Sequence, residues 1–433
     1  MVTIIIEPVR KLTSLFENKH ELADTLYLIV LQGVNKLLPI VVLPYLLLHL
    51  GAAGYGRVMF AFAAVMYCCI VVEFGFDLSA TREVAQKRDD VRALNRAFWA
   101  VVWARTLLLL ATVPLLLFIV LLVPAFRPYM PAVVVMLPMA VGTAYTLMWM
   151  YQGIGRVREM AVINSLSKFL LLPLIFFFVH TEADYLKAAL LLSSVFLLTA
   201  VVSCCWLWRR YPVGRPQWRW TDVRRVFVES VPLFLSRAST SVYTQLFVLI
   251  LGLYCTQEDV GRYTSAEQVM RALCFLLYVP LTQAFFPRIS RLATTDRPAA
   301  LRAMKQVQWL VVGAMLVVGA MLFFGAPFAP HYLGADYEGL DALLRLLAPA
   351  PLFIGLGAVY GQMGLVALGN ARTHRQFLYV YVAVALLSLV LVFSFVPWQG
   401  AMGAAWALLI SEGLVCVLMF ACYQHNTRLS RPS

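Results

Sequence analysis

Six basic side chains stand inside otherwise apolar runs: Lys36, Arg105, Lys168, Arg237, Arg271 and Arg345. Four acids share such surroundings, Glu73, Glu229, Glu267 and Glu412. In hydrocarbon each charge costs about 2.5–3.5 kcal/mol on insertion scales, so the six cations alone amount to roughly 15–20 kcal/mol if nothing compensates them. That is comparable to the whole stability of a domain, so they must face water or partners. A set with a cationic excess selects anions and anionic head groups.

Two of the six match in depth. The stretch "LQGVNKLLPIVVLPYLLLHLG" (31–51) places Lys36, and "VPLFLSRASTSVYTQ" (231–245) places Arg237, each about eleven residues into its apolar run. At a rise of 1.5 Å per residue both lie about 16 Å deep, near mid-membrane. Gln32, Asn35 and Pro39 fall three or four residues from Lys36 and form a polar stripe with it. Ser236, Thr240 and Thr244 follow an i, i+4, i+8 pattern beside Arg237, with Ser241 four residues beyond it. The pattern predicts a cavity lined by Lys36, Arg237, Gln32, Asn35 and Thr240, with Arg105, Lys168 and Arg271 as further cationic lining. The blander reading of the amides and hydroxyls is that they tie helices together. Arg105 and Lys168, about eight residues from an end, could also snorkel.

Glu267 and Arg271 are spaced i, i+4 and can neutralise each other. Glu412 sits about ten residues into its run with no basic neighbour in its own helix. It either pairs with a distant cation or binds and releases a proton. Glu412 and Glu267 are the candidates for H+ or Na+ coupling; no other cofactor and no metal is expected. The eight cysteines have no Cys-x-x-Cys spacing and read as small apolar residues.

The elements that must hold these charges follow from composition. Of 433 residues 62% are hydrophobic and 13% charged, against about a quarter charged in soluble domains. A soluble protein is excluded, and β-barrel alternation is absent, so the backbone must satisfy itself in helices. Twelve apolar stretches are legible, at about 26–50, 56–77, 97–123, 130–151, 160–180, 185–208, 226–253, 263–286, 307–329, 341–368, 376–396 and 402–422. The first 25 residues lack the order of a cleavable signal and read as a retained surface segment.

Of the 35 Lys and Arg, 25 fall in segments on one side and only Arg57, Arg127, Lys187 and Arg262 on the other. In short loops that asymmetry puts both termini in the cytoplasm. The formal charge of +13 is thus mostly topology, and nucleic acid is excluded as a partner, because no soluble basic face with interleaved aromatics exists. "WLWRRYPVGRPQWRW" (206–220) reads as a membrane-interface loop.

The densest basic segment divides the chain: a cytoplasmic segment 1–25, a six-helix bundle 26–208, a basic linker 209–225, a second six-helix bundle 226–422 and a tail 423–433. "GYGR" at 54–57 echoes "DVGR" at 259–262, and "QGIGRVR" at 152–158 echoes "LGNARTHR" at 368–375. With an even number of helices per half, the halves would be related by an axis along the membrane normal, with a substrate site at their interface. Prolines such as Pro39, Pro44, Pro232, Pro280, Pro349 and Pro351 punctuate the same helices and invite bends. The short loops, including the acidic "EAD" (182–184) and "DYE" (336–338), read as solvated faces rather than metal motifs. Transport fits this chain and catalysis does not; a channel would present rings from several subunits.

"LQGVNKLLPIVVLPYLLLHLGAAGYGRVMFAFA" with "EFGFDLSATREVA", "WMYQGIGRVREMAVINSLSK", "VPLFLSRASTSVYTQ", "GRYTSAEQVMRAL" and "PLTQAFFPRISRL" resembles, in order and spacing over most of the chain, the bacterial O-antigen repeat-unit flippases. These are Wzx-type polysaccharide transporters of the MOP exporter superfamily. The resemblance implies an all-α, MOP/MATE-like inner-membrane protein of twelve transmembrane helices in two pseudo-symmetric six-helix bundles around a cationic lumen. It implies alternating access that moves an undecaprenyl-diphosphate-linked oligosaccharide from the cytoplasmic to the periplasmic leaflet, driven by an ion gradient. Membrane lipid, a polysaccharide polymerase and chain-length machinery are the partners so implied. The alternatives are other superfamily transporters: of capsule or exopolysaccharide units, of a peptidoglycan precursor, which typically has fourteen spans, or of cationic drugs, which a basic lumen disfavours.

Overall fold

A computed structural model describes the backbone over residues 19–211 and 214–429. Side chains are described over 38–211 and 214–427, apart from 232, 235–245, 279, 283–284 and 371. Every element among the described residues is helical, as a chain that must close its own hydrogen bonds in lipid requires.

The first helix, α1 (Lys19–Glu73), is two helices joined at Gly51, whose φ of 60° and ψ of 176° leave the helical region. A side chain is penalised there. Next come α2 (Phe76–Lys87) and α3 (Val91–Leu122), then a run broken at prolines: α4 (Met130–Met136), α5 (Pro138–Tyr145) and α6 (Met148–Gly153). Then follow α7 (Val157–Leu171), α8 (Ile175–Phe178) and α9 (Tyr185–Arg210). The second half holds α10 (Trp220–Tyr254), α11 (Gln257–Thr295), α12 (Arg297–Gly325), α13 (Phe328–Leu333), α14 (Leu340–Leu347) and α15 (Ala350–Ala358). A π-helical stretch (Val359–Ala367) then leads to α16 (Ala371–Gln399) and α17 (Ala401–Leu429).

Nine helices among the described residues are long and apolar enough to span a membrane, and a tenth is formed if Pro124–Met136 and Pro138–Gly153, bent by 44°, count together. The chain is an all-helical, multi-pass membrane protein. Several stretches expected as single spans are segmented. The one at 130–151 breaks at Leu137 and again at Thr146, and the one at 341–368 breaks before Pro349 and widens into the π-helix. Proline removes a backbone bond at each of the first breaks of these two spans.

The segment expected as a plain loop after residue 77 is the helix α2. Phe76, Ala80 and Val84, at i, i+4 and i+8, are buried, while Asp77, Thr81 and Lys87 lie elsewhere on its surface. That apolar stripe seats α2 against α6, so closely that a Cβ on Gly153 would stand 2.4 Å from Val84 Cγ1. Phe76, Phe98, Trp149, Tyr151, Met160 and Val226 form a core cluster there, apart from the main core that runs through both halves.

Candidate functional site

In the first half, α2 and α3 bring one acid to one buried cation. Arg105 Nη2 stands 2.5 Å from Asp77 Oδ1, and Nη1 donates to the carbonyls of Thr143 and Thr146, each at 3.2 Å. The Arg105 side chain is only 2% exposed. Expected to line a cavity, Arg105 instead crosslinks α2, α3 and the end of α5. No spacing in the sequence pointed to this link: Asp77 follows the Phe74–Gly75 turn, whose positive φ angles of 42° and 74° turn the chain into α2.

In the second half, the i, i+4 pair is formed as its spacing predicts: Arg271 Nε donates to Glu267 Oε1 at 2.8 Å. Glu267 is buried and the Arg271 side chain is 33% exposed. Glu412, 7% exposed on α17, lies within electrostatic reach of both. Two carboxylates therefore share one guanidinium. Arg271 Nη2 has no hydrogen-bond partner among the described residues, and buried Tyr263 stands one turn before Glu267. Two acids competing for one cation is an arrangement in which taking up one proton balances the charge.

The two halves meet at the end poor in basic residues, and there the two echoed motifs touch. A Cβ on Gly56 would fall 2.1 Å from the Gln257 carbonyl oxygen, and one on Gly261 would fall 1.8 Å from that of Ala52. Only glycine allows α1 and α11 this approach. The arginines that follow each glycine clasp the contact. Arg57 Nε donates to Gln257 Oε1, with its guanidinium over the Tyr185 ring, and Arg262 Nε donates to the Asp336 carbonyl at 3.0 Å. Tyr337, fully buried, donates to the Leu47 carbonyl at 3.0 Å.

The acidic loops also meet. A Cβ on Gly51 would stand 2.7 Å from Glu182 Oε1 and 2.9 Å from Asp336 Oδ2, and the two carboxyls share a hydrogen bond. Glu182 lies in the turn ahead of α9. Its desolvation and the hydrogen bond with Asp336 raise its carboxyl above the usual range, against the pull of Arg57. The sequence placed both loops correctly in solvent but held no sign that they face each other across the two halves.

Of the other expected site residues, Lys168 is half-buried on α7; Arg345, the remaining cation within an apolar run, has its guanidinium 5.9 Å from the centre of the Phe323 ring. The side chains of Gln32, Asn35, Lys36, Arg237 and Thr240 lie outside the described residues.

Similarity to known proteins bears on this arrangement. The family profile described as "Polysaccharide biosynthesis protein" matches residues 22–293. The chain belongs to this family. Over 410 residues, 94% of this chain and 97% of the other, it is 30% identical to the "Putative O-antigen transporter" of Escherichia coli (strain K12). It is 27% identical to the protein of the same name from Shigella dysenteriae, over 92% of this chain and 98% of that one. The family is one of transporters, not of enzymes, and these relatives are bacterial. Among solved structures, the fold is similar to an inward-facing multidrug resistance MATE family transporter of the MOP superfamily, with TM-score 0.71 and 15% identity over 93% and 98% of the two chains. It is likewise similar to the lipid II flippase MurJ in an inward closed conformation, with TM-score 0.69 and 13% identity over 92% and 87%. The family's fold is MOP/MATE-like.

Proposed function

We propose that the chain flips undecaprenyl-diphosphate-linked O-antigen or related repeat units from the cytoplasmic to the periplasmic leaflet of the inner membrane. The end-to-end match to O-antigen transporters carries this reading. The charge pattern supports its direction: the end where Gly56 and Gly261 meet holds few basic residues and is the periplasmic one. Both termini are then cytoplasmic. Counting α1 as two spans at Gly51, the bent pair as one, and α10 as a further span gives the twelve helices that two six-helix halves, 26–208 and 226–422, require. With the periplasmic contact closed, a substrate enters from the cytoplasmic side and leaves when the contact parts.

In this reading the diphosphate meets Lys36 and Arg237, with Gln32, Asn35 and Thr240 supplying hydrogen bonds to sugar, Lys168 and Arg271 adding positive field, and Arg105 holding α2 and α3 in place. The polyprenyl tail stays in lipid. Glu412 and Glu267 supply the coupling site, taking up a proton as the halves change position. The polymerase and chain-length proteins act on the product at the far leaflet.

A strain that lacks its own repeat-unit flippase and makes a compatible glycan tests this. The wild-type chain restores surface glycan, whereas Lys36→Ala and Arg237→Ala reach the membrane and leave the glycan absent. Normal glycan in both variants removes that pair from the mechanism, and failure of the wild type with every compatible glycan removes the transport reading itself.

A further inference from the structure

Among the described residues, a further cluster of cations lines a cleft, and none of them is among the residues assigned above. At the cytoplasmic end, α11 turns into α12 through the single residue Asp296. Arg288, Arg291, Leu292 and Thr295 occupy i, i+3, i+4 and i+7 on α11, and Ala299, Arg302, Ala303 and Gln306 repeat that spacing on α12. Each set forms one helical face. The two faces bound one cleft of about 620 Å³, within the roughly 300–1,000 Å³ range of small-molecule sites.

Charge in the cleft is one-sided. Three guanidiniums line it and no carboxylate does. The nearest acid in the chain, Asp296, is occupied as the cap of α12, accepting from the Ala299 amide at 2.9 Å. No salt bridge engages Arg288, Arg291 or Arg302 among the described residues. Arginines spread over a convex surface would be explained by membrane orientation alone. Three like charges converging on one concavity repel each other, and an anion there relieves that repulsion. Guanidinium forks match phosphate oxygens in pairs, Thr295 and Gln306 add uncharged polar groups, and the floor of Leu292 and Ala303 is apolar.

We propose that this cleft is a phosphate-binding site at the level of the cytoplasmic leaflet, taking a phosphate or diphosphate group either borne by a lipid or free in the cytosol. The proposal stands on the cleft alone and does not depend on the transport reading. Its test is binding, not glycan export.

The protein is purified into nanodiscs of phosphatidylcholine and titrated with inorganic pyrophosphate by thermal shift and calorimetry. In parallel, phosphatidylglycerol retained from mixed vesicles is measured by native mass spectrometry. The comparison is with the triple variant Arg288→Gln, Arg291→Gln, Arg302→Gln, with the same three positions as Lys, and with a control of equal charge loss, Arg209→Gln, Arg210→Gln, Arg219→Gln. Binding of pyrophosphate that weakens roughly tenfold or more in the Gln triple, recovers partly in the Lys triple and is unchanged in the control supports a site for free phosphates. Retention of phosphatidylglycerol with that same dependence, and no response to pyrophosphate, supports a lipid-borne ligand. Absence of both in the wild type, or an equal loss in the control, overturns the proposal. The residues are exposed, and folding of each variant is checked by its melting temperature without ligand.

Discussion

Arg105 and Arg271 are both arginines in membrane-spanning helices, one in each half, and their surroundings differ in kind. Arg105 is almost wholly enclosed and its bonds run to another helix's carboxylate and to two carbonyls on a third segment. Arg271 is a third exposed, bonds a carboxylate on its own helix, and shares its charge with a second acid on α17. Matched charge with crossing bonds makes a joint; two acids around one cation leave room for a proton, which is the role the proposed function gives them. In that reading the same residue type serves structure in one half and chemistry in the other.

The largest expected effect lies at the joint. Replacing Arg105 by Met removes its charged bond to Asp77 and its two bonds to carbonyls, and losing a charged hydrogen bond costs about 1.5–3 kcal/mol. Membrane-extracted protein should lose its monodisperse peak and melt earlier at every pH, whereas Arg271→Met, which strips the cation from two buried carboxyls that can each take up a proton, should lose stability near neutral pH and recover it on acidification. Equal losses in the two variants at every pH would dissolve the contrast between the halves.

Next in size is the proposed coupling site. Glu412→Gln should leave the melting temperature near that of the wild type and abolish the dependence of transport on an imposed pH gradient in vesicles. Unchanged dependence assigns the coupling elsewhere.

Where the echoed glycine motifs meet, Gly261→Leu forces the halves apart, because even a Cβ would overlap the Ala52 carbonyl. Cys255, half-buried beside this contact, should then react with a membrane-impermeant thiol reagent several-fold faster, read on its own peptide by mass spectrometry. An unaltered rate means that the contact does not close that face.

The smallest effect concerns Glu182. Its carboxyl is raised where the loops meet, so the closed contact binds a proton more tightly than the open one. Closure is therefore favoured below the ordinary carboxylate range and weakens as pH rises through the raised value. Labelling of Cys255 should increase modestly over that window in the wild type and be flat with pH in Glu182→Gln.

Composition and the spacing of apolar runs were enough to read a helical membrane bundle, because lipid leaves the backbone few options. The Glu267–Arg271 pair was legible for the same kind of reason: four residues along a helix fix a neighbour. The link between Asp77 and Arg105 was not, since 28 residues and a turn at positive φ separate them. Nor was α2, whose apolar stripe is only three residues long. The echo of GYGR in DVGR was visible as a repeat, but that the two glycines would touch is a property of how the halves pack and has no periodicity to announce it.

That glycine contact joins the two halves through peptide backbone, and in the proposed function it is the periplasmic closure. A side chain can swing to a new rotamer and let a small solute slip past; a main chain inside a helix has no such freedom, so the barrier yields only when whole helices separate. For the transport proposed above, a passage that opens by that much at once would suit cargo as broad as an oligosaccharide, and a backbone seal would deny protons and metal ions a leak while shut.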